Sequence, residues 1–83
     1  MKTTKQLKKL ARNSKNVKFN ELVNLIQKFG FALERVSGSH HIFKHPEVTE
    51  ILNLQPRKGK AKDYQVKQFG RLVEKYELQP QID

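Results

Sequence analysis

The sequence holds no cysteine and no tryptophan, only three prolines and four glycines, and eight acidic residues against seventeen Lys and Arg. Without cysteine there are no disulfides, no thiolate ligands for a metal and no thiol nucleophile. No apolar run approaches the ~20 residues that span a bilayer, and no apolar stretch of a secretory signal stands at the start. A cytoplasmic protein with no membrane association is therefore expected. Length is limiting too: 83 residues support one domain, and a fold of that size buries only about 60% of the surface its unfolded chain exposes. So thin a core leaves no room for an enclosed metabolite or dinucleotide pocket. No small-molecule ligand and no cofactor are expected, and any chemistry belongs on an open surface suited to a polymer. The shortage of acid gives a net charge of +9 and a pI near 10.1, which attracts polyanions, nucleic acid first among them. Five Phe and two Tyr at periodic positions mark a folded rather than a disordered chain.

Seven of the cations and no acid fall within residues 1–18, where Leu7, Leu10 and Ala11 share one helical face. Thr3 or Thr4 would cap this first helix, and Arg12-Asn13-Ser14-Lys15-Asn16 would end it. Phe19, Leu22, Val23, Ile26 and Phe29 repeat at helical period, with Gly30 placed for a left-handed C-cap. The period then shortens towards two: Phe31, Leu33 and Arg35 alternate with Ala32, Glu34 and Val36 as far as the turn Ser37-Gly38-Ser39. His40–His45 resumes as a strand closed by Pro46, so the two strands form a hairpin. Glu47–Glu50 has the composition of a loop, Ile51–Gln55 that of a third strand, and Arg57–Lys62 that of a flexible basic loop with four cations in six residues. Asp63 is a candidate N-cap for a last helix carrying Val66, Phe69, Leu72, Val73 and Tyr76 inward. Gly70 within it suggests close backbone packing. The expected fold is α+β, α-α-β-β-β-α, with helices covering one face of a three-stranded antiparallel sheet.

Side chains that exchange protons near neutral pH are confined to His40, His41 and His45. His41 and His45 have the i, i+4 spacing that holds zinc on a helix. On a strand, however, four residues span ~13 Å, and neighbours point to opposite faces. With no cysteine to complete a four-ligand set, no metal is expected. RNA cleavage needs no metal, because the adjacent 2′-hydroxyl attacks the phosphorus once a base takes its proton and cations stabilise the charge on the phosphate. One imidazole contributes roughly 10²- to 10⁴-fold to such a reaction, and Lys44 or the loop cations Arg57, Lys58, Lys60 and Lys62 can offset the charge. Gly38 allows close approach of a phosphate, with the Ser39 hydroxyl and amide as donors. The plainer alternative is that a histidine beside a hairpin turn is a solvated polar residue and the lysines a solvated face.

Taken end to end, the chain resembles the HicA family of bacterial toxins, small ribonucleases that cleave messenger RNA. The resemblance rests on Val17-Lys18-Phe19-Asn20-Glu21-Leu22, Phe29-Gly30-Phe31 and Gly38-Ser39-His40-His41-Ile42-Phe43-Lys44-His45-Pro46. It extends through Leu52-Asn53-Leu54-Gln55-Pro56, Lys60-Ala61-Lys62 and Tyr64-Gln65-Val66-Lys67-Gln68. It implies a fold like a double-stranded-RNA-binding domain over residues 17–78, with 1–16 as a basic helical extension and 79–83 as a tail. It also implies His40, directly after Gly-Ser, as the catalytic residue, and a HicB-type antitoxin that masks the site. Many relatives carry proline where Asp63 stands, which bears on how the last helix begins. Two competing readings remain: a non-catalytic double-stranded-RNA-binding module, and a ribosome-associated structural protein anchored by the basic arm.

Overall fold

The computed structural model describes residues 2–81. Residues 82 and 83 of the tail lie outside the described residues, as does the side chain of Thr3, one of the two expected caps. The expected periodicities resolve into α1 (Lys2–Arg12), α2 (Phe19–Lys28), β1 (Ala32–Ser37), β2 (His40–His45), β3 (Val48–Leu54) and α3 (Asp63–Lys75), with a 3-10 turn at Ser14–Asn16. Since α1 already runs from Lys2, Thr4 lies inside it. The fold is the expected α+β arrangement: an antiparallel sheet in the order β1-β2-β3, with β2 central.

Alternating burial along β2 and β3 divides the sheet into a covered and a bare face. Phe43, His45, Val48, Leu52 and Leu54 are buried, and their apolar members join Leu22, Leu25 and Ile26 of α2 and Val66, Phe69 and Leu72 of α3 in one core. Phe69 is the hub, meeting Phe29 and Phe31 edge-on at centroid distances of 5.5 and 5.9 Å. The opposite face carries the exposed His40, Lys44 and Asn53 and Ile42, which is itself buried but outside the core and is paired to Asn53 across β2 and β3. Every residue of β1 is exposed. Leu10 of α1 is buried in the same core, and Leu7 packs against it, so the basic extension is fastened to the body of the fold.

Gly30 meets its expectation. Its φ is +98°, its N–H bonds the Gln27 carbonyl, and the Phe31 N–H reaches back to the Ile26 carbonyl. This is the double bond of a Schellman motif closing α2. A methyl group there would also fall 3.0 Å from His45 Nε2.

Four expectations are corrected. The 47–50 segment is not a loop: β3 begins at Val48, opposite His45, after the short turn Pro46-Glu47. Its polar side chains are accounted for by α3, because Tyr76 OH and Lys75 Nζ (3.1 Å) both bond the Glu50 carboxylate. Arg57–Lys62 is not a flexible loop either. Arg57 and Lys60 exchange both backbone bonds, at 2.8 and 3.0 Å, around Lys58 and Gly59 at φ +53° and +77°, the two left-handed residues of a type I′ turn. The turn is stitched to the α1–α2 connection by Phe19 N–H to Gly59 O (3.0 Å) and Ala61 N–H to Val17 O (2.9 Å). Lys62, not Asp63, occupies the N-cap of α3, where the Gln65 side chain accepts its N–H. Asp63 stands in the first turn, accepting from the Ser14 hydroxyl and pairing with Lys67 at 3.3 Å. At Gly70, nothing lies within 4 Å of where a Cβ would stand, so no close packing requires that glycine.

The Glu50 cluster makes the fold acid-sensitive. Hydrogen bonds from Tyr76, then Lys75 and Thr49, lower the Glu50 pKa from 4.5 to about 2. A depressed carboxylate contributes stability that is present above its unfolded pKa and is lost as pH falls through its folded pKa. Screening at this partly exposed site keeps the effect modest. Glu50→Gln should lower the denaturation midpoint at pH 6, and its difference from wild type should shrink steadily between pH 4.5 and 2. A pH-independent difference would show that the carboxylate charge is not what matters.

Candidate functional site

The tight turn between β1 and β2 sets the site. Ser37 pairs with His40, and Gly38, at φ +62°, takes the first central position of the two-residue loop, where a II′ turn needs glycine. Open space lies above it, with no atom within 4 Å of a Cβ built there. His40 then begins the central strand, exposed on the bare face.

The three histidines play three different structural parts. His40 Nδ1 is 3.0 Å from Asn53 Oδ1. An amide oxygen only accepts, so the ring proton sits on Nδ1 and Nε2 is left bare towards solvent. His41 turns to the covered side. Its Nδ1–H donates to the Ser39 carbonyl at 2.9 Å, and its ring packs edge-on against Phe19 at 4.9 Å, bracing the Gly38-Ser39 turn against α2. His45 is buried: Nε2–H donates to the Phe29 carbonyl at 3.1 Å, and Nδ1 accepts the Glu47 N–H at 3.0 Å. Both nitrogens are occupied, in the tautomer opposite to that of His40, so His45 has no free nitrogen for a metal or a substrate.

Around His40 the structure joins some expected residues and separates others. The Ser39 hydroxyl accepts from Gln55 Nε2 at 2.9 Å, which ties the turn to the end of β3. Two residues beyond Gln55 come Arg57 and the basic turn, so Gly38, Ser39 and His40 share one end of the sheet with Arg57, Lys58 and Lys60. Lys44 shares the bare face with His40 but lies four residues, ~13 Å, along the strand, and its ammonium pairs with Glu34 at 3.1 Å. Arg57, Lys58, Lys60 and Lys62 line an open groove of about 420 Å³ together with Lys15 and Asp63. Asp63 is held below the ordinary carboxylate range by the Ser14 hydroxyl first, then Lys67 and Lys15.

Three participants escaped the sequence reading. Asn53 and Gln55 passed as ordinary strand residues, although an amide between Leu52 and Leu54 is the mark of a polar bare face. Lys15 is one cation among six in the 1–16 extension, and only the tertiary bond between Ser14 and Asp63 places it at the groove.

The described structure is that of a small basic α+β protein whose bare sheet face presents a histidine held by a neighbouring amide. It offers an open surface site rather than a pocket. The family model of the HicA toxin of bacterial toxin–antitoxin systems matches residues 19–74, and the chain belongs to that family. It is thus the toxin of a toxin–antitoxin system, for which the family implies a HicB antitoxin as partner. No curated protein matches the chain. Among the described residues no helix is long and apolar enough to cross a membrane.

Proposed function

We propose that this toxin is an endoribonuclease that cleaves messenger RNA without a metal, with His40 as the proton-transfer residue. The observation that carries the reading is the His40–Asn53 bond. Donation from Nδ1 to the amide oxygen makes Nε2 the base in this reading, on an exposed ring two residues from Gly38, whose Cβ position has open space around it. In this reading Nε2 takes the proton of a ribose 2′-hydroxyl, the oxygen attacks the adjacent phosphorus, and the 5′-oxygen of the next nucleotide departs, taking a proton from water while the imidazolium returns its own to solvent. The products are a 2′,3′-cyclic phosphate and a 5′-hydroxyl. Gly38 and Ser39 offer the approach and donors for the reacting phosphate. Arg57, Lys58, Lys60, Lys62 and the more distant Lys44 hold the backbone on either side.

A HicB-type antitoxin of acidic character would inhibit by covering His40 and the 57–62 segment, its association accelerated by the net charge of +9. The reaction is tested by removing the attacking group: an oligonucleotide with a single deoxyribose at its cut position should bind normally and resist cleavage there.

A further inference from the structure

Residues 1–18 precede the segment that matches the family, yet Leu10, Ser14, Asn16 and Val17 are built into the body of the protein. Ser14, itself buried, donates to Asp63; Lys60 Nζ donates to Asn16 Oδ1 at 2.8 Å; and the Val17 carbonyl accepts the Ala61 N–H at 2.9 Å. The Ser14 bond fixes the chain one residue before Lys15. Lys15 thereby faces Arg57, Lys58, Lys60 and Lys62 across the groove of about 420 Å³.

The charge within that groove is not internally balanced. Lys60 is held by an amide, which leaves its positive charge uncompensated. The carboxylate of Asp63 is engaged by Ser14 and Lys67. Among the described residues, no carboxylate lies within ion-pair distance of Lys15, Arg57, Lys58, Lys60 or Lys62. Five like charges lining one groove repel each other, an arrangement that destabilises the free protein and is relieved when a polyanion enters. The groove also begins two residues past Gln55, which holds Ser39 beside His40, so a strand lying in it can continue directly over the turn.

We infer that the N-terminal extension supplies the far wall of an RNA-backbone groove, with Lys15 as a phosphate-binding residue that fixes the strand flanking the cut. The inference rests on the RNA-cleaving reading of the same surface and adds a binding subsite outside the matched family segment. Lys15 contributes to holding the substrate and not to the proton transfer.

The test compares Lys15→Gln with Lys9→Gln, an exposed cation of the same extension that does not line the groove, so that both variants lose the same net charge. Affinity for a single-stranded RNA oligonucleotide and the cleavage parameters are measured from 50 to 200 mM salt. Lys15→Gln should weaken affinity and raise KM about threefold to tenfold, flatten the slope of log affinity against log salt by about 0.7, and leave kcat unchanged. Lys9→Gln should stay within about twofold of wild type, and Lys15→Arg should restore binding. Equal behaviour of the Gln variants at positions 15 and 9 overturns the proposal, as does a Lys15→Gln protein that loses affinity for a HicB-type antitoxin while binding RNA like the control. If wild type leaves RNA uncut but Lys15→Gln still shows the selective loss of salt-dependent binding, the groove stands and the nuclease reading falls.

Discussion

Replacing His40 by alanine is expected to lower the rate of RNA cleavage by roughly 10²- to 10⁴-fold, the usual contribution of a positioned acid or base, and to abolish growth inhibition. RNA affinity should stay within about twofold of wild type, because the proposed function gives the phosphate contacts to other residues, and such contacts carry most of the free energy of non-specific binding. The fold should hardly notice. His40 is exposed and makes one side-chain bond, to Asn53, so a stability change within about 0.5 kcal/mol is expected, as for most surface substitutions. The measurements are single-turnover cleavage, equilibrium binding and a denaturation curve on the same preparation. A His40→Ala protein that remains toxic and active would remove the catalytic assignment. Unchanged RNA binding with no cleavage by wild type would instead favour the non-catalytic double-stranded-RNA-binding module.

His45→Ala should behave in the opposite way. The ring is only 6% exposed, fills space beside Phe31 at a centroid distance of 5.0 Å, and satisfies the Phe29 carbonyl and the Glu47 N–H together. Truncation leaves a cavity and two backbone groups without their partner, at a cost of about 2–4 kcal/mol. A chain of this size has roughly 5 kcal/mol in total, and each kcal/mol moves the midpoint by about 4–8 °C. A fall in Tm of more than about 10 °C is therefore expected, measured by thermal or urea denaturation. Whatever fraction stays folded at low temperature should cleave RNA at the wild-type rate, since His45 has no free nitrogen to contribute. Full stability in this variant would show that the hydrogen bonds from His45 to the end of α2 and to the β2–β3 turn are dispensable.

The helices and the first hairpin were legible because each is specified locally. Apolar spacing marks the buried face of α2, Gly30 supplies the left-handed residue its end requires, and the Ser37-Gly38-Ser39 break sets the turn. The start of β3 was not legible because Thr49 and Glu50 look like loop residues until Tyr76 and Lys75 of α3 reach them. The order in the basic segment was hidden for a similar reason. Nothing in the composition of Arg57–Lys62 reveals its pairing with Val17–Phe19, which lies some forty residues earlier in the chain. Gly70 misled because the helix tolerates glycine without any close neighbour.

For the site, the sequence and the family resemblance pointed to His40, and the structure adds how the ring is held. The partner Asn53 lies on the next strand, diagonal to His40 in the register that pairs His41 with Leu54 and Ile42 with Asn53. Such a contact depends on strand pairing and cannot be found by spacing along the chain. The separation of the three histidines follows from the same geometry: alternation sends His40 to the bare face and His41 and His45 to the covered one, where each is engaged by the backbone.

The most direct test of the account is the chemistry of the cut ends. Purified toxin is mixed in excess with an RNA oligonucleotide, and with a copy bearing one deoxyribose at the cut position. Products are then identified by mass. Attack by the 2′-hydroxyl yields a 2′,3′-cyclic phosphate facing a 5′-hydroxyl from the all-ribose substrate, and no scission at the deoxyribose position. Cleavage at the deoxyribose, or ends bearing a 5′-phosphate, would contradict attack by the 2′-hydroxyl and with it the role assigned to His40.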